Sequence, residues 1–186
     1  PDDYSGSLKE ISDGCITRNF KRMNLTGKPP NILIYLGSDS KKVKFEEIKA
    51  TIMECVDVNA YTIYQLLEDQ VMTVPWVDNA LLLIIAVSEP ISAAVSKQFL
   101  AFMSKGGKIL GLSASFTFGR VQIKSKNEIM NTIQTLVFSK AENNEIKLNV
   151  LSSGKVFEVD ISEEHSPVKL LGYSDSPNKD TMVVQL

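Results

Sequence analysis

The sequence predicts an α/β protein: a doubly wound, mostly parallel sheet followed by an antiparallel C-terminal extension. Three observations carry that prediction. From Asn31 to Leu112, apolar strand-like runs alternate with segments whose apolar residues recur at helical spacing, the pattern of βαβ units with right-handed crossovers. Ala80–Val87 is an uninterrupted apolar run, as expected of a strand covered by helices on both faces. In the last third the pattern changes to short strand-like runs separated by turns.

Residues 1–30 are polar and aperiodic, contain Gly6, Gly14 and Gly27, and close on Pro29–Pro30. They read as a tail or linker, and 31–186 as the domain. Ile32–Leu36 is the first strand. It ends at Gly37-Ser38-Asp39-Ser40, a turn rich in helix-cap residues, after which Phe45, Ile48, Ile52 and Met53 fall at helical spacing. Tyr61–Leu66 is the second strand, favoured by Thr62, Ile63 and Tyr64. Trp76 and Asp78 precede the central strand Ala80–Val87, with Trp76 read as a packing residue. Ser88-Glu89-Pro90 then marks a helix start, and Ile91–Lys105 repeats apolar residues at Ala94, Val95, Phe99 and Phe102. That helix stops at Gly106–Gly107, and Lys108–Leu112 is the next strand. Ile146–Leu151, Lys155–Ile161 and Thr181–Leu186 read as strands of the extension, joined by Ser152-Ser153-Gly154 and by residues 175–180.

Bulk properties exclude several classes. A chain of 186 residues fits one domain plus a tail and buries roughly 70% of its unfolded surface without disulfides or metal. Net charge is −2 and the basic residues are dispersed, so the basic stripe of a nucleic-acid footprint is missing. Lys41–Lys42–Lys44 and Lys124–Lys126 read as solvated faces. The two cysteines, Cys15 and Cys55, and the single histidine, His165, form no metal-ligand spacing. Cys55 is expected as a small core residue and Cys15 as a free thiol, a usage that suits a reducing compartment. The longest apolar run is far short of the roughly 20 residues that span a bilayer, so no membrane partner is expected. The chain opens at Pro1 without a methionine, so its true N-terminus and any targeting segment are expected upstream.

Gly111-Leu112-Ser113-Ala114-Ser115 follows a predicted strand directly. Its spacing fits a nucleophile elbow, in which small residues flank a sharp strand-to-helix turn. The segment Gly107–Phe118 is therefore expected as strand, turn and helix, with Ser113 above a helix N-terminus that favours an anion. Spacing alone leaves open an ordinary βα turn with a serine cap, which is the commoner case. A serine nucleophile needs a positioned base. His165 is the single imidazole, in the polar loop Glu163-Glu164-His165-Ser166-Pro167, the setting of a solvent-exposed side chain. An active serine hydrolase is thus not expected. Gly37 and Ser38 form a second candidate, a strand-to-helix anion cradle without the glycines of a dinucleotide or phosphate-loop motif.

Several blocks together carry a family resemblance: Asn31–Ser40, Gln65–Asp69, Pro75–Ile84, Gly106–Gly119 and Leu136–Ala141. From about Pro30 onward the chain resembles the N-terminal region of animal biotin–protein ligases (holocarboxylase synthetases). The resemblance implies a flavodoxin-like, class I glutamine amidotransferase-like fold placed ahead of a ligase catalytic domain. Where fungal and bacterial relatives read Gly-x-Cys-x-Gly, Ser113 takes the cysteine position and Ser115 the second glycine position. A thiol at a helix N-terminus can ionise near neutral pH, whereas a hydroxyl cannot without a base. The His-x-Glu pair of an amidotransferase triad would lie beyond Leu186, leaving the domain truncated at its C-terminal end. The biotinyl-adenylate loop, rich in glycine and arginine, has no counterpart among Arg18, Arg22 and Arg120.

The resulting expectation is a non-catalytic, pseudoenzyme-like regulatory or substrate-recognition region, with no cofactor of its own and no metal. The full-length ligase would attach biotin to carboxylase lysines through biotinyl-AMP, using ATP, biotin and Mg. Its partners would be the biotin-acceptor domains of carboxylases and the ligase's own catalytic domain, in the cytoplasm and also in mitochondria. The alternative is a small-molecule hydrolase or anion-binding module using the Ser113 elbow. Gly37, Ser38, Ser113, Ala114 and Ser115 are the candidate binding residues, with Ser113 at a degenerate nucleophile position.

Overall fold

A computed structural model describes residues 29–38, 41–141, 144–160 and 168–186, with no side-chain detail at 140 and 141. Most of the expected tail, with Cys15, lies outside the described residues, as do Asp39, Ser40 and His165. Pro29 and Pro30 already belong to the domain: Thr62 N–H donates to Pro30 O at 3.3 Å and Asn79 Nδ2 to Pro29 O at 3.4 Å.

Four parallel strands form the first sheet: β1 (Asn31–Tyr35), β2 (Thr62–Leu66), β3 (Ala80–Ile85) and β4 (Lys108–Gly111), in the order β2-β1-β3-β4. Their branched apolar residues suit a pleated surface packed on both sides. Helix α1 (Lys42–Cys55) packs Phe45, Ile48 and Ile52 over Ile32, Ile34, Leu36 and Ile84 on one face. Helices α2 (Glu68–Thr73) and α3 (Ala93–Ser104) cover the other, where Val71, Val95, Phe99 and Phe102 meet Leu33, Tyr35, Leu83 and Ile85. Trp76 is a packing residue as expected, 5.2 Å from Phe102 between ring centroids, with its indole N–H donating to Val71 O at 3.1 Å.

Local signals explain where α3 begins and ends. Ser92 is its cap and accepts from the Val95 N–H at 3.3 Å, so the helix begins two residues later than Ile91. At the other end Gly106 has φ 85°. The N–H groups of Gly106 and Gly107 return to Met103 O and Phe102 O, at 2.8 and 3.0 Å, which is a Schellman stop.

The second sheet is antiparallel. It contains β5 (Val121–Ser125), β6 (Ile133–Ala141), β7 (Asn144–Leu151), β8 (Lys155–Val159), β9 (Lys169–Ser174) and β10 (Thr181–Gln185), in the order β5-β8-β10-β9-β6-β7. With six strands it is a separate sheet where an extension of three strands is expected, and β5, β6 and β9 enter it as strands the periodicity did not mark. The Lys124 and Lys126 side chains are not simply solvated. Lys124 pairs with Glu158, and Lys126 meets Asp180 at 2.6 Å.

Three expectations are corrected. No helix follows the elbow: residues 112–120 run as turns and irregular chain into β5. The run Thr117–Arg120 holds itself in that form, with Thr117 Oγ1 donating to Val121 O at 2.8 Å. Cys55, the last residue of α1, is exposed rather than in the core. Met53, about 100° round the helix from Ile52, is exposed too. Among the described residues, no helix is long and apolar enough to cross a membrane.

Candidate functional site

The candidate residues gather at the C-terminal ends of β1, β3 and β4, the edge at which open α/β sheets bind ligands. Each loop there has a local reason for its shape. Gly37 follows β1 with φ 88°, and a Cβ on it would stand 3.1 Å from Val87 Cγ2. Both the backbone angle and the space call for glycine. Beyond β4, Leu112 N–H donates to Ile85 O at 2.8 Å and Ser115 N–H to Val87 O at 3.0 Å. These bonds tie the turn to the end of β3 and leave Ser113 in a left-handed conformation, φ 50°, at a cost of about 1 kcal/mol.

The turn therefore keeps the backbone of an elbow while losing much of its setting. The Ala114 methyl is buried in the α3-side core, and Phe116 stacks edge-on against Phe99 at 5.7 Å. A Cβ at position 111 would meet Ala114 Cβ at 3.7 Å, an ordinary contact, so the crowding that demands small residues around a working nucleophile is relaxed here. Ser113 is exposed, its hydroxyl has no hydrogen-bond partner among the described residues, and no helix dipole stands behind it.

What occupies the turn is a lysine from the other sheet. Lys155, at the start of β8, donates to Ser115 Oγ at 2.7 Å, Ser88 O at 3.1 Å and Ser113 O at 3.2 Å. All three ammonium donors are used. The Ser115 hydroxyl in turn donates to Ser88 O. Burial holds the Lys155 pKa below the usual lysine value; the Glu89 carboxylate opposes this, and the Lys44 charge adds to it. Lys44 itself reaches from α1 to Ala86 O at 2.5 Å, and Lys41 meets Glu89 at 3.2 Å. Lysines thus cap the carbonyl oxygens that the parallel strands leave at this edge.

Of the residues singled out from the sequence, Gly37 and Ser38 lie beyond β1, and Ser113, Ala114 and Ser115 beyond β4. The loop Ser88–Pro90 after β3 stands between the two groups. The structure joins Ser115, rather than Ser113, to a titratable partner. Lys155, Ser88 and Lys44 were missed.

The described residues lack the metal-ligand cluster and the arginine-rich loop that the resemblance ties to magnesium and biotinyl-adenylate. Arg120 is the single arginine among them and is half-buried ahead of β5, and no three His, Cys, Asp or Glu side chains converge among them to hold a metal ion.

No family model matches the chain. Over 189 aligned residues, covering all of this chain, it is 46% identical to biotin–protein ligase of Homo sapiens, and it spans 26% of that protein's length. The resemblance carried by Gly106–Gly119 and Leu136–Ala141 is thereby borne out: the chain is related throughout to part of an animal biotin–protein ligase. In fold it is similar to the crystal structure of a ThuA-like protein from Bacteroides uniformis, with a TM-score of 0.50 and 16% identity, covering 91% of this chain and 77% of that one. At that identity the likeness speaks for the fold alone, an α/β architecture.

Proposed function

We propose that this chain, as kin to part of a biotin–protein ligase, is a non-catalytic regulatory or substrate-recognition module of such an enzyme. The observation that carries the reading is the elbow. Its left-handed Ser113 is kept, while the nucleophile is a hydroxyl without a base among the described residues and Lys155 fills the turn from above. A turn held in that form preserves shape and forgoes chemistry. The four-stranded order β2-β1-β3-β4 is consistent with descent from a flavodoxin-like, class I glutamine amidotransferase-like sheet.

On this reading the full-length ligase attaches biotin to carboxylase lysines with ATP and Mg, and this module contacts the acceptor domain or the catalytic domain. It works in the cytoplasm and in mitochondria, which fractionation of tagged protein would test. The functional test compares a ligase with and without the region matching residues 31–186. The module reading expects a change in acceptor affinity, biotinylation rate or stability, and equality in all three overturns it.

One contact favours a second reading, a hydrolase. The Ser115 hydroxyl stands 2.7 Å from Lys155, the spacing of a serine–lysine pair. A fluorophosphonate probe separates the two. Labelling that disappears in Ser115→Ala or Ser113→Ala supports the hydrolase, and an unlabelled chain supports the module.

A further inference from the structure

A separate feature of the same sheet edge points to a ligand, independently of the ligase reading. The strand order reverses between β1 and β3, the crevice at which open α/β sheets take their ligands. A cavity of about 100 Å³ lies there, walled by Tyr35, Gly37, Ser38, Glu68, Val87 and Ile91. Lys41 and Glu89 also border it and are paired with each other at 3.2 Å. Tyr35 is 2% exposed, yet its hydroxyl has no hydrogen-bond partner among the described residues. The oxygen is not among the fully enclosed polar atoms without a partner, so it is open to the cavity and free to accept there. The Glu68 carboxylate, at the first turn of α2, also has no ion-pair or hydrogen-bond partner among them.

We propose that this cavity binds a small organic ammonium ion. The ammonium group donates to the Glu68 carboxylate and to Tyr35 Oη, and its alkyl portion lies on Val87 and Ile91. The charges in the cavity wall decide against an anion. Lys41 is paired with Glu89, Lys44 and Lys155 lie outside the wall and are spent on Ala86 O and on the Ser113 turn, and Glu68 is the carboxylate of the wall left without a partner. Burial, reinforced by the Glu68 charge, pushes the Tyr35 pKa up to about 12, so the phenol stays neutral and offers its oxygen as an acceptor. Gly37 and Ser38 are the cradle expected from the sequence, serving a ligand of the opposite charge. Size limits the ligand to about four to six heavy atoms, since an apolar cavity of roughly 150 Å³ admits benzene.

The test is an NMR titration of the full 186-residue chain with propylammonium at constant ionic strength, beside propanol and propionate as neutral and anionic counterparts. Propylammonium is expected to give saturable shifts centred on the Leu36, Gly37 and Glu68 amides, with a dissociation constant on the order of 10 mM for so small a ligand. Propanol should bind roughly tenfold more weakly, and propionate not at all. Glu68→Gln, with the remaining spectrum unchanged, should weaken binding roughly tenfold, and Tyr35→Phe roughly threefold. The proposal is overturned if no saturable shift arises, if propanol or propionate binds as well as propylammonium, or if Glu68→Gln binds as the parent does.

Discussion

At the scale of single residues, Lys155 and Tyr35 make the sharpest statements. Lys155 reaches from the antiparallel sheet to three oxygens on the parallel one. Lys155→Met keeps the stem and removes the donors. Because the freed carbonyls can take up water, the loss should be about 1–2 kcal/mol in urea unfolding. Tyr35 gives a pH dependence. Its folded pKa of about 12 lies above the ordinary 10.0, so the folded state holds the phenolic proton more tightly. The stability this represents is complete below the ordinary value and is lost as the pH rises through the interval up to about 12. Tyr35→Phe has no such proton, so its unfolding free energy should fall less steeply across that interval, by about 2 kcal/mol in total.

The same two residues show what was legible in the sequence. The Gly111–Ser115 spacing reveals a sharp turn, because spacing reports backbone demands. Lys155 stands 40 positions from Ser115 and is one ordinary lysine among many. Its role depends on how one sheet lies against another, which no local pattern encodes. Tyr35 was legible as part of a strand, but a missing hydroxyl partner is a property of three-dimensional surroundings.

At the scale of elements, the parallel half was read well and the antiparallel half poorly, for physical reasons. Strands β1 to β4 are covered on both faces and write themselves as apolar runs. By contrast β5 (Val121–Ser125) alternates Val121 and Ile123 with Gln122 and Lys124, so no apolar run marks it, and Lys124 read only as part of a solvated face. Gly172 interrupts β9 at a point where a Cβ would stand 3.0 Å from Leu136 Cδ1, a glycine required by close packing that reads as a break. The α3–β4 corner yields two tests. Phe99 is fully buried among Tyr35, Trp76 and Phe116, and Phe99→Ala should cost about 3–5 kcal/mol in thermal or urea unfolding. At Gly107 an added methyl would fall on the Phe102 ring, itself without room to move. Gly107→Ala should cost about 3 kcal/mol, against a surface Gly→Ala change that is near neutral.

At the scale of the whole molecule, the antiparallel sheet ends in β7, an edge strand with Leu148 exposed and Leu170 exposed two strands away. Cross-strand register puts Leu148 opposite Leu136 and Ile146 opposite Phe138, so one apolar face meets solvent along an open edge. Such an edge favours self-association. Leu148→Lys should leave stability within about 0.5 kcal/mol and reduce the concentration-dependent rise in particle size seen by light scattering.

Among the described residues, every strand of the parallel sheet precedes residue 112 and every strand of the antiparallel sheet follows residue 120, so between those strands the backbone passes from one sheet to the other through the elbow. The turn that would carry a nucleophile in an enzyme is here the covalent seam of the molecule. A cut in it severs no strand pairing in either half. Two polypeptides divided there should reassemble when mixed, held by Lys155 and the Phe99–Phe116 contact, and the seam becomes a natural point at which to permute or split the chain.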